Sequence, residues 1–299
     1  MVTTIRDVSQ LQGRPEYDTA ILTPLLVLMV NNGFVGEEVF NIVQSLDNIS
    51  YSVETFNDKF SLADRISEAG GPQNTDFDTE LKEAKTFTYN LSSVITAEQA
   101  RNKNLNVILD LTAKKMNAIG ERLRMNRERD LINALLDTTT YSGIQVYSAS
   151  TAWTTISTCN PMKDIIMTAD KIASYGYEAD AIILGRGDET NLALSDKLVT
   201  LSQYTKDITA DGIERKKLFG YDLYVSNARY NAAGTMTRLL SGKAIMLKKG
   251  VSGEIRESQP YLADSDYDKK RREMVLLGTS TAAPIVTYES TVGIISDIA

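Results

Sequence analysis

The residues on which most enzymes rely are scarce in this chain of 299 residues. It contains no histidine and a single cysteine, Cys159. Those counts exclude Ser-His-Asp and Cys-His catalysis, and they exclude a zinc site built from histidines or several thiolates. Carboxylates are plentiful, but no pair of them stands in a recognisable catalytic setting. We therefore predict no catalytic, cofactor-binding or metal-binding residues, and no enzymatic activity.

Two short motifs with chemical interest lie where a predicted strand meets a predicted helix. Gly185 and Gly187 are spaced as in a nucleotide-binding turn, but position 190 is threonine and the P-loop lysine is absent. The pattern therefore predicts a structural turn. Arg186-Gly187-Asp188 also spells an adhesion tripeptide, yet Asp188 is well placed to cap the helix that follows. We predict that capping is its role.

The most basic stretch, residues 101–129, is the part of the chain that could contact DNA. Its basic residues are Arg101, Lys103, Lys114, Lys115, Arg122, Arg124, Arg127 and Arg129. The net charge of the whole chain is −7, which argues against a general phosphate-binding role. We predict a solvated helix face that meets acidic residues of neighbouring subunits, such as Asp264, Asp266 and Asp268. The alternative is a face turned toward nucleic acid.

The composition is that of an ordinary globular protein, with 42% apolar and 24% charged residues. The longest apolar run, residues 21–30, contains Thr23 and Pro24 and is too short to cross a bilayer. It also lacks the charged leader and cleavage site of a secretory signal. A single cysteine suits a reducing compartment. We therefore predict synthesis in the cytoplasm and no membrane association.

The first part of the chain is predicted to form an arm, residues 1–48. A short helix-like piece, residues 21–30, is followed by apolar residues without a clear period at 34–43. Such a segment cannot bury itself, so it must lie on another surface, either of its own subunit or of a neighbour.

A long hairpin is predicted next, over residues 49–96. Apolar and polar residues alternate at 51–55 and again at 86–91, which is the strand period. The intervening connection, residues 61–84, is too long for an ordinary turn. We predict that it is a projecting loop with a functional role.

The clearest element is a long helix, predicted over residues 102–137. Its apolar positions recur with helical spacing and are Leu105, Leu109, Met116, Ile119, Leu123, Leu131 and Leu135, with Thr112 in the gap. Thr96 and Gln99 form a capping-box pattern at its start. Asp110 and Lys114 are predicted to make a favourable i, i+4 pair.

The remaining elements predict an α+β fold. Pro161 suits the first turn of a helix that ends near Gly176, and a second helix is expected at residues 189–198. Predicted strands cover residues 144–147, 181–184, 221–225, 244–247, 274–277, 284–288 and 292–295. The last three are expected to return to the domain that holds the long helix.

The order of these parts resembles the HK97-like major capsid proteins of tailed double-stranded DNA viruses, whose fold encapsulins share. Five stretches resemble family segments: residues 35–40 before the hairpin, 126–136 at the end of the long helix, 179–185, 216–227 and 242–250. The resemblance implies an HK97-like capsid fold with an N-terminal arm, an extended E-loop hairpin, a P domain with a long spine helix, and an A domain. The implied boundaries are 1–48 for the arm, 49–96 for the E-loop, 97–145 with 264–299 for the P domain, and 146–263 for the A domain.

The resemblance also implies a function: a major capsid protein that assembles into an icosahedral shell around packaged double-stranded DNA in a virion. Expected partners are other copies in hexamers and pentamers, a portal, scaffold or decoration proteins, and DNA held by confinement. Some members form a lysine–asparagine crosslink from the hairpin; Lys59, Lys82 and Lys85 lie in this hairpin, but we predict no crosslink. The alternative function is an encapsulin shell that stores a cargo enzyme.

Overall fold

The computed structural model describes residues 4–5, 22, 35–44, 50–56, 79–101, 103–195, 204–208, 214–232 and 235–299. The helices are α1 (Gly36–Val39), α2 (Ala97–Ala100), α3 (Leu105–Leu136), α4 (Pro161–Ala173) and α5 (Arg186–Leu194), with a 3-10 turn at Glu289–Thr291. The first strands are β1 (Thr4–Ile5), β2 (Asn41–Gln44), β3 (Ser50–Phe56), β4 (Thr79–Lys85), β5 (Phe87–Thr96), β6 (Lys103–Asn104), β7 (Gln145–Ser148) and β8 (Ala181–Gly185). The others are β9 (Tyr204–Ile208), β10 (Glu214–Leu218), β11 (Tyr221–Ser226), β12 (Arg229–Ala232), β13 (Thr235–Arg238), β14 (Ala244–Leu247), β15 (Gly253–Asp268), β16 (Glu273–Val286) and β17 (Gly293–Ser296).

The predicted long helix is confirmed as α3, which we call the spine helix. It has 32 residues, so it is about 48 Å long at 1.5 Å per residue. Its predicted apolar face is buried at Met116, Ile119 and Leu123. Thr112 is also buried, and its hydroxyl donates to the Ile108 carbonyl at 2.9 Å.

The predicted capping box is present, but it caps a different helix. The Thr96 hydroxyl accepts from Gln99 N, and the Gln99 side chain accepts from Thr96 N. The helix that this box starts is the four-residue α2. Arg101 has an extended backbone that ends α2, and strand β6 intervenes before the spine helix begins.

A four-stranded sheet in the order β2-β15-β16-β5 lies against the spine helix. Strand β16 is one 14-residue strand where two were predicted, residues 274–277 and 284–288. The small residues between them concealed the continuity, and packing explains why they are small. A side chain at Gly278 would collide with Ile119 of the spine helix.

A seven-stranded sheet in the order β7-β17-β14-β8-β11-β10-β9 forms the second layer. One face packs on α4 and α5 through Ile165 and Leu192, and the other packs on the end of the spine helix near Leu131. Strand β17 belongs to this sheet, because it pairs with β14 and β7. Of the terminal strands, β16 packs along the spine helix, and Ile294 of β17 shares a core cluster with Leu131 at the end of that helix. That both strands belong to one domain with the helix stays a prediction.

The predicted hairpin exists with a different return strand. Strand β3 pairs antiparallel with β4, not with residues 86–91. Of those residues, 87–91 lie in β5, which pairs with β16. Residues 79–85 do not alternate between apolar and polar residues, whereas residues 86–91 do. The sequence pattern therefore selected the wrong partner. Of the predicted loop 61–84, residues 79–84 are strand and residues 61–78 lie outside the described residues.

The middle helices agree with the sequence in type and differ at their ends. Helix α4 begins at Pro161 as predicted, with the Asn160 side chain accepting from Lys163 N. Helix α5 begins at Arg186, three residues before the predicted start, and the predicted residues 196–198 lie outside the described part. The predicted arm helix, residues 21–30, also lies outside it except for Leu22, which is buried. The proposed domain boundaries stay predictions.

Candidate assembly junction

The arm reaches the spine helix through α1, at a group of residues that we call the arm clasp. Its members are Gly36, Glu37, Arg124, Arg127, Glu128, Glu257 and Tyr261. Gly36 N donates to the Glu128 carboxylate at 2.9 Å. An added side chain at Gly36 would sit 3.0 Å from a Leu131 methyl, so glycine permits this approach. Val39 and Phe40 then bury themselves in the core beside Leu131.

Two arginines of the spine helix supply the positive charges of the arm clasp. Glu37 of α1 lies 3.5 Å from Arg124 and 3.8 Å from Arg127. Arg127 also pairs with Glu257 of β15, and its Nε donates to the Ser280 hydroxyl at 2.6 Å. These contacts join the arm, the spine helix and the four-stranded sheet.

Burial sets the electrostatics of the arm clasp. The Arg127 guanidinium lies 3.9 Å from the centre of the Tyr261 ring, and the Tyr261 hydroxyl donates to Glu37 at 3.2 Å. Burial raises the pKa of the Glu128 carboxyl, against the opposing effect of the Gly36 N–H. Burial also raises the pKa of Tyr261. The arrangement places charges of opposite sign next to each other at a largely buried contact between the arm and the spine helix.

The prediction that this basic stretch is a solvated face is wrong for Arg124 and Arg127. Arg124 is 5% exposed and Arg127 is 9% exposed. Arg129 donates to the Tyr89 hydroxyl at 2.8 Å, and that hydroxyl donates to Asp130 at 2.6 Å. The partners come from distant segments of the same subunit, which the sequence pattern could not reveal.

The rest of the stretch is closer to the prediction. The pair of Asp110 and Lys114 forms at 2.7 Å on an exposed face, as predicted. Lys115 instead turns inward and donates to the Val94 carbonyl and the Gln99 side chain. Arg101 and Arg122 are exposed, and Lys103 has no described side chain. Whether any of them meets a neighbour's carboxylate stays a prediction.

The base of the hairpin is fixed to the body of the subunit by a buried ion pair. Lys82 of β4 lies 2.5 Å from Glu289 and donates to the Thr140 carbonyl at 2.6 Å. Glu289 is 1% exposed and also accepts from Gly143 N at 2.6 Å. Sequence reasoning noted Lys82 as a hairpin lysine but missed Glu289, which carries no local signal. Lys59 and the side chain of Lys85 lie outside the described residues.

Exposed apolar side chains offer surfaces for contact with other molecules. Strand β2 is an edge strand whose four residues are all exposed, including Ile42 at 45% and Val43 at 38%. The other large exposed apolar residues among those described are Phe87, Val107, Val146, Ile156, Ile166, Met167 and Leu194. The apolar residues of the arm, which were predicted to lie on their own subunit or on a neighbour, are therefore divided: Val39 and Phe40 enter the subunit's own core, while Ile42 and Val43 remain exposed.

The two short motifs are structural. A side chain at Gly185 would collide with the Leu240 carbonyl, so the glycine serves close packing. Gly185 itself is the N-cap of α5, and the buried Asp188 accepts from Gly242 N at 3.1 Å. The prediction that Asp188 caps the helix is thus wrong. Asp188 is only 4% exposed, so the adhesion tripeptide is not displayed.

The described residues contain no cluster of three or more potential metal ligands from His, Cys, Asp and Glu. Cys159 is buried, with its thiol 3.5 Å from the Ser195 hydroxyl. None of the described helices combines the length and apolar character needed to span a membrane.

Comparison with known proteins gives structural matches only. No family model matches the chain, and no curated protein sequence matches it. A phage-related protein from Bordetella bronchiseptica RB50 superimposes with a TM-score of 0.69 at 17% identity, over 93% of this chain and 97% of that one. The capsid of the cyanophage P-SCSP1u gives a TM-score of 0.57 at 10% identity over 88% of each chain.

An encapsulin complex from Synechococcus elongatus PCC 7942 gives a TM-score of 0.54 at 13% identity, over 99% of this chain and 96% of that one. These likenesses extend over 88% to 99% of this chain. The chain therefore has the HK97-like fold of capsid and encapsulin subunits.

Proposed function

We propose that this chain is a major capsid protein, many copies of which close into an icosahedral shell around packaged double-stranded DNA. The likeness to a cyanophage capsid over 88% of each chain is the observation that carries the proposal. The subunit would be made in the host cytoplasm and would function in the virion. Its partners would be other copies in hexamers and pentamers, a portal, and scaffold or decoration proteins.

The subunit has features that favour assembly over the monomeric state. The edge strand β2 exposes Ile42 and Val43, and no described strand pairs with its outer side. Such edges readily pair with another chain. The hairpin of β3 and β4 is held at its base by Lys82, which fixes its direction relative to the body. A hairpin with a fixed base can present its far end to a neighbour.

Confinement, not tight binding, is the proposed relation to DNA. The net charge of −7 disfavours a strongly basic lining. Of the basic residues at 101–129, Arg124, Arg127 and Arg129 are engaged within the subunit. Fewer positive charges are then left to bind phosphate.

An encapsulin shell that holds a cargo enzyme is the second candidate. The encapsulin match covers 99% of this chain, more than the cyanophage capsid does. The contents of particles from the native source separate the two functions. Nuclease-resistant duplex DNA in purified particles is expected for a virus capsid. An enclosed enzyme without duplex DNA would contradict the capsid proposal and favour an encapsulin.

A further inference from the structure

The turn between β15 and β16 displays four consecutive positive charges, which we call the basic tip. It consists of Lys269, Lys270, Arg271 and Arg272, all exposed. Asp268 accepts from Lys270 N at 2.8 Å and from Arg271 N at 3.2 Å, so the backbone of the turn is fixed. The tip is thus an ordered feature of the subunit.

Three of these four charges lack counter-charges within the described part of their own subunit. Arg271 reaches Asp268 at 4.0 Å, but its side chain remains 77% exposed. For Lys269, Lys270 and Arg272, no carboxylate of the described residues lies within ion-pair distance. Four like charges in one turn repel each other unless an opposite charge is brought to them.

An acidic surface lies on the strand that leads to the tip, and we call it the acidic flank. Asp264 and Asp266 alternate with Ser265, so both point to the same side of β15, and both are exposed. Ala263, which points to the opposite side, is buried in the core. Asp264 precedes Lys269 by five residues, which is about 16 Å along a strand. A lysine side chain does not span that distance, so the tip does not reach the far end of its own flank.

We propose that the basic tip of one copy docks against the acidic flank of a second copy of this chain. The proposal deepens the proposed shell function and rests on it. Each copy would donate a tip and receive one on a different patch, which is a heterologous contact that closes into a ring when the rotation suits. Charge complementarity of this kind fixes the register between subunits.

A second copy fits the tip better than a nucleic acid does. The tip is bordered on its own hairpin by Asp264, Asp266, Asp268 and Glu273. These carboxylates would repel a phosphate backbone laid along the hairpin. A partner that brings carboxylates to the tip and accepts cations on its flank is required, and the same hairpin of another copy provides both.

Charge reversal tests the contact. Lys269→Glu with Lys270→Glu reverses the tip, and Asp264→Lys with Asp266→Lys reverses the flank. We expect each double variant to lower association between subunits about tenfold or more, and the chain that carries all four changes to recover most of it. Lys163→Glu with Lys243→Glu makes an equal change of charge at exposed sites away from the hairpin and is expected to assemble like the unaltered chain. If either double variant associates as strongly as the unaltered chain, or if the fourfold variant does not recover association, the proposed contact is wrong.

Zero-length carbodiimide crosslinking of the unaltered chain gives an independent readout. A mixture of light and heavy isotope-labelled subunits is expected to yield mixed-isotope peptides that link Lys269 or Lys270 to Asp264 or Asp266. If these mixed-isotope peptides are absent, the contact between tip and flank is wrong. If closed shells form in their absence, the proposed shell function stands without that contact. Mixed-isotope crosslinks in the absence of closed shells would support the contact and contradict the proposed shell function. Duplex DNA binding that is lost on tip reversal, without such links, would assign the tip to nucleic acid instead.

Discussion

The Lys82 ammonium lies 2.5 Å from the Glu289 carboxylate, and this contact ties the hairpin to the 3-10 turn between β16 and β17. Both side chains are largely buried, at 10% and 1% exposure. Lys82→Met would leave the Glu289 charge buried without its cation. Removal of one partner of a buried pair costs about 3–5 kcal/mol, so we expect a loss of that order in the free energy of unfolding, measured by denaturant titration.

The exposed pair of Asp110 and Lys114 is the matched control for that experiment. Its side chains are 61% and 72% exposed, so Lys114→Met should cost at most about 0.5 kcal/mol. Equal effects of the two substitutions would show that the Lys82 contact does not anchor the hairpin.

Adjacent positions of the spine helix differ sharply in burial. Leu123 and Arg124 are buried, whereas Arg122 is exposed. Leu123→Ala should cost about 2–5 kcal/mol by opening a cavity. Arg124→Ala should also be destabilising, by about 1–3 kcal/mol, because it leaves polar groups of the arm clasp unpaired. Arg122→Ala should be nearly neutral in the same thermal unfolding series. A neutral Arg124→Ala would contradict the buried arm clasp.

The arm contains neighbouring residues that separate folding from assembly. Phe40 is 3% exposed and Ile42 is 45% exposed. Phe40→Ala should lower the free energy of unfolding by about 3–5 kcal/mol. Ile42→Asp should leave that free energy nearly unchanged and reduce the fraction of subunits in shells, measured by sedimentation. If Ile42→Asp assembles normally, strand β2 is not an assembly edge.

Glu128 predicts a specific pH dependence. Burial raises the pKa of its carboxyl above the ordinary value of 4.5 in the folded subunit. Between the two pKa values the folded state binds more protons than the unfolded state, so this group makes stability fall as pH rises. Glu128→Gln keeps an acceptor for Gly36 N and removes the titration. The stability of the unaltered chain minus that of Glu128→Gln should therefore decrease from about pH 4.5 upward; a flat or rising difference would contradict the burial of a titrating carboxyl.

Local patterns predicted those parts of the fold that local interactions specify. The spine helix and the start of α4 at Pro161 were predicted correctly, because helical spacing and helix-start signals each depend on residues that are close together in the sequence. Strand β15 was not found, since register shifts between Glu257 and Leu262 break its alternation. The pairing of β3 with β4 was likewise missed, because residues 79–85 do not alternate between apolar and polar residues and residues 86–91 do.

The arm clasp was beyond sequence reasoning for a related reason. Its arginines have the spacing of an exposed helix face, and burial follows only from carboxylates that lie 87 and 130 residues away in the chain. Glu37 and Glu257 carry no local feature that marks them as partners. Resemblance to a family predicted the order of the arm, the hairpin, the long helix and the mixed α/β part, but it did not predict these contacts.

Sedimentation and electron microscopy of the purified full-length chain test the central claim most directly. The account predicts fast-sedimenting material that appears as closed shells of uniform diameter. A single slow species of one or a few subunits at every protein concentration, with no shells on the grid, would contradict it.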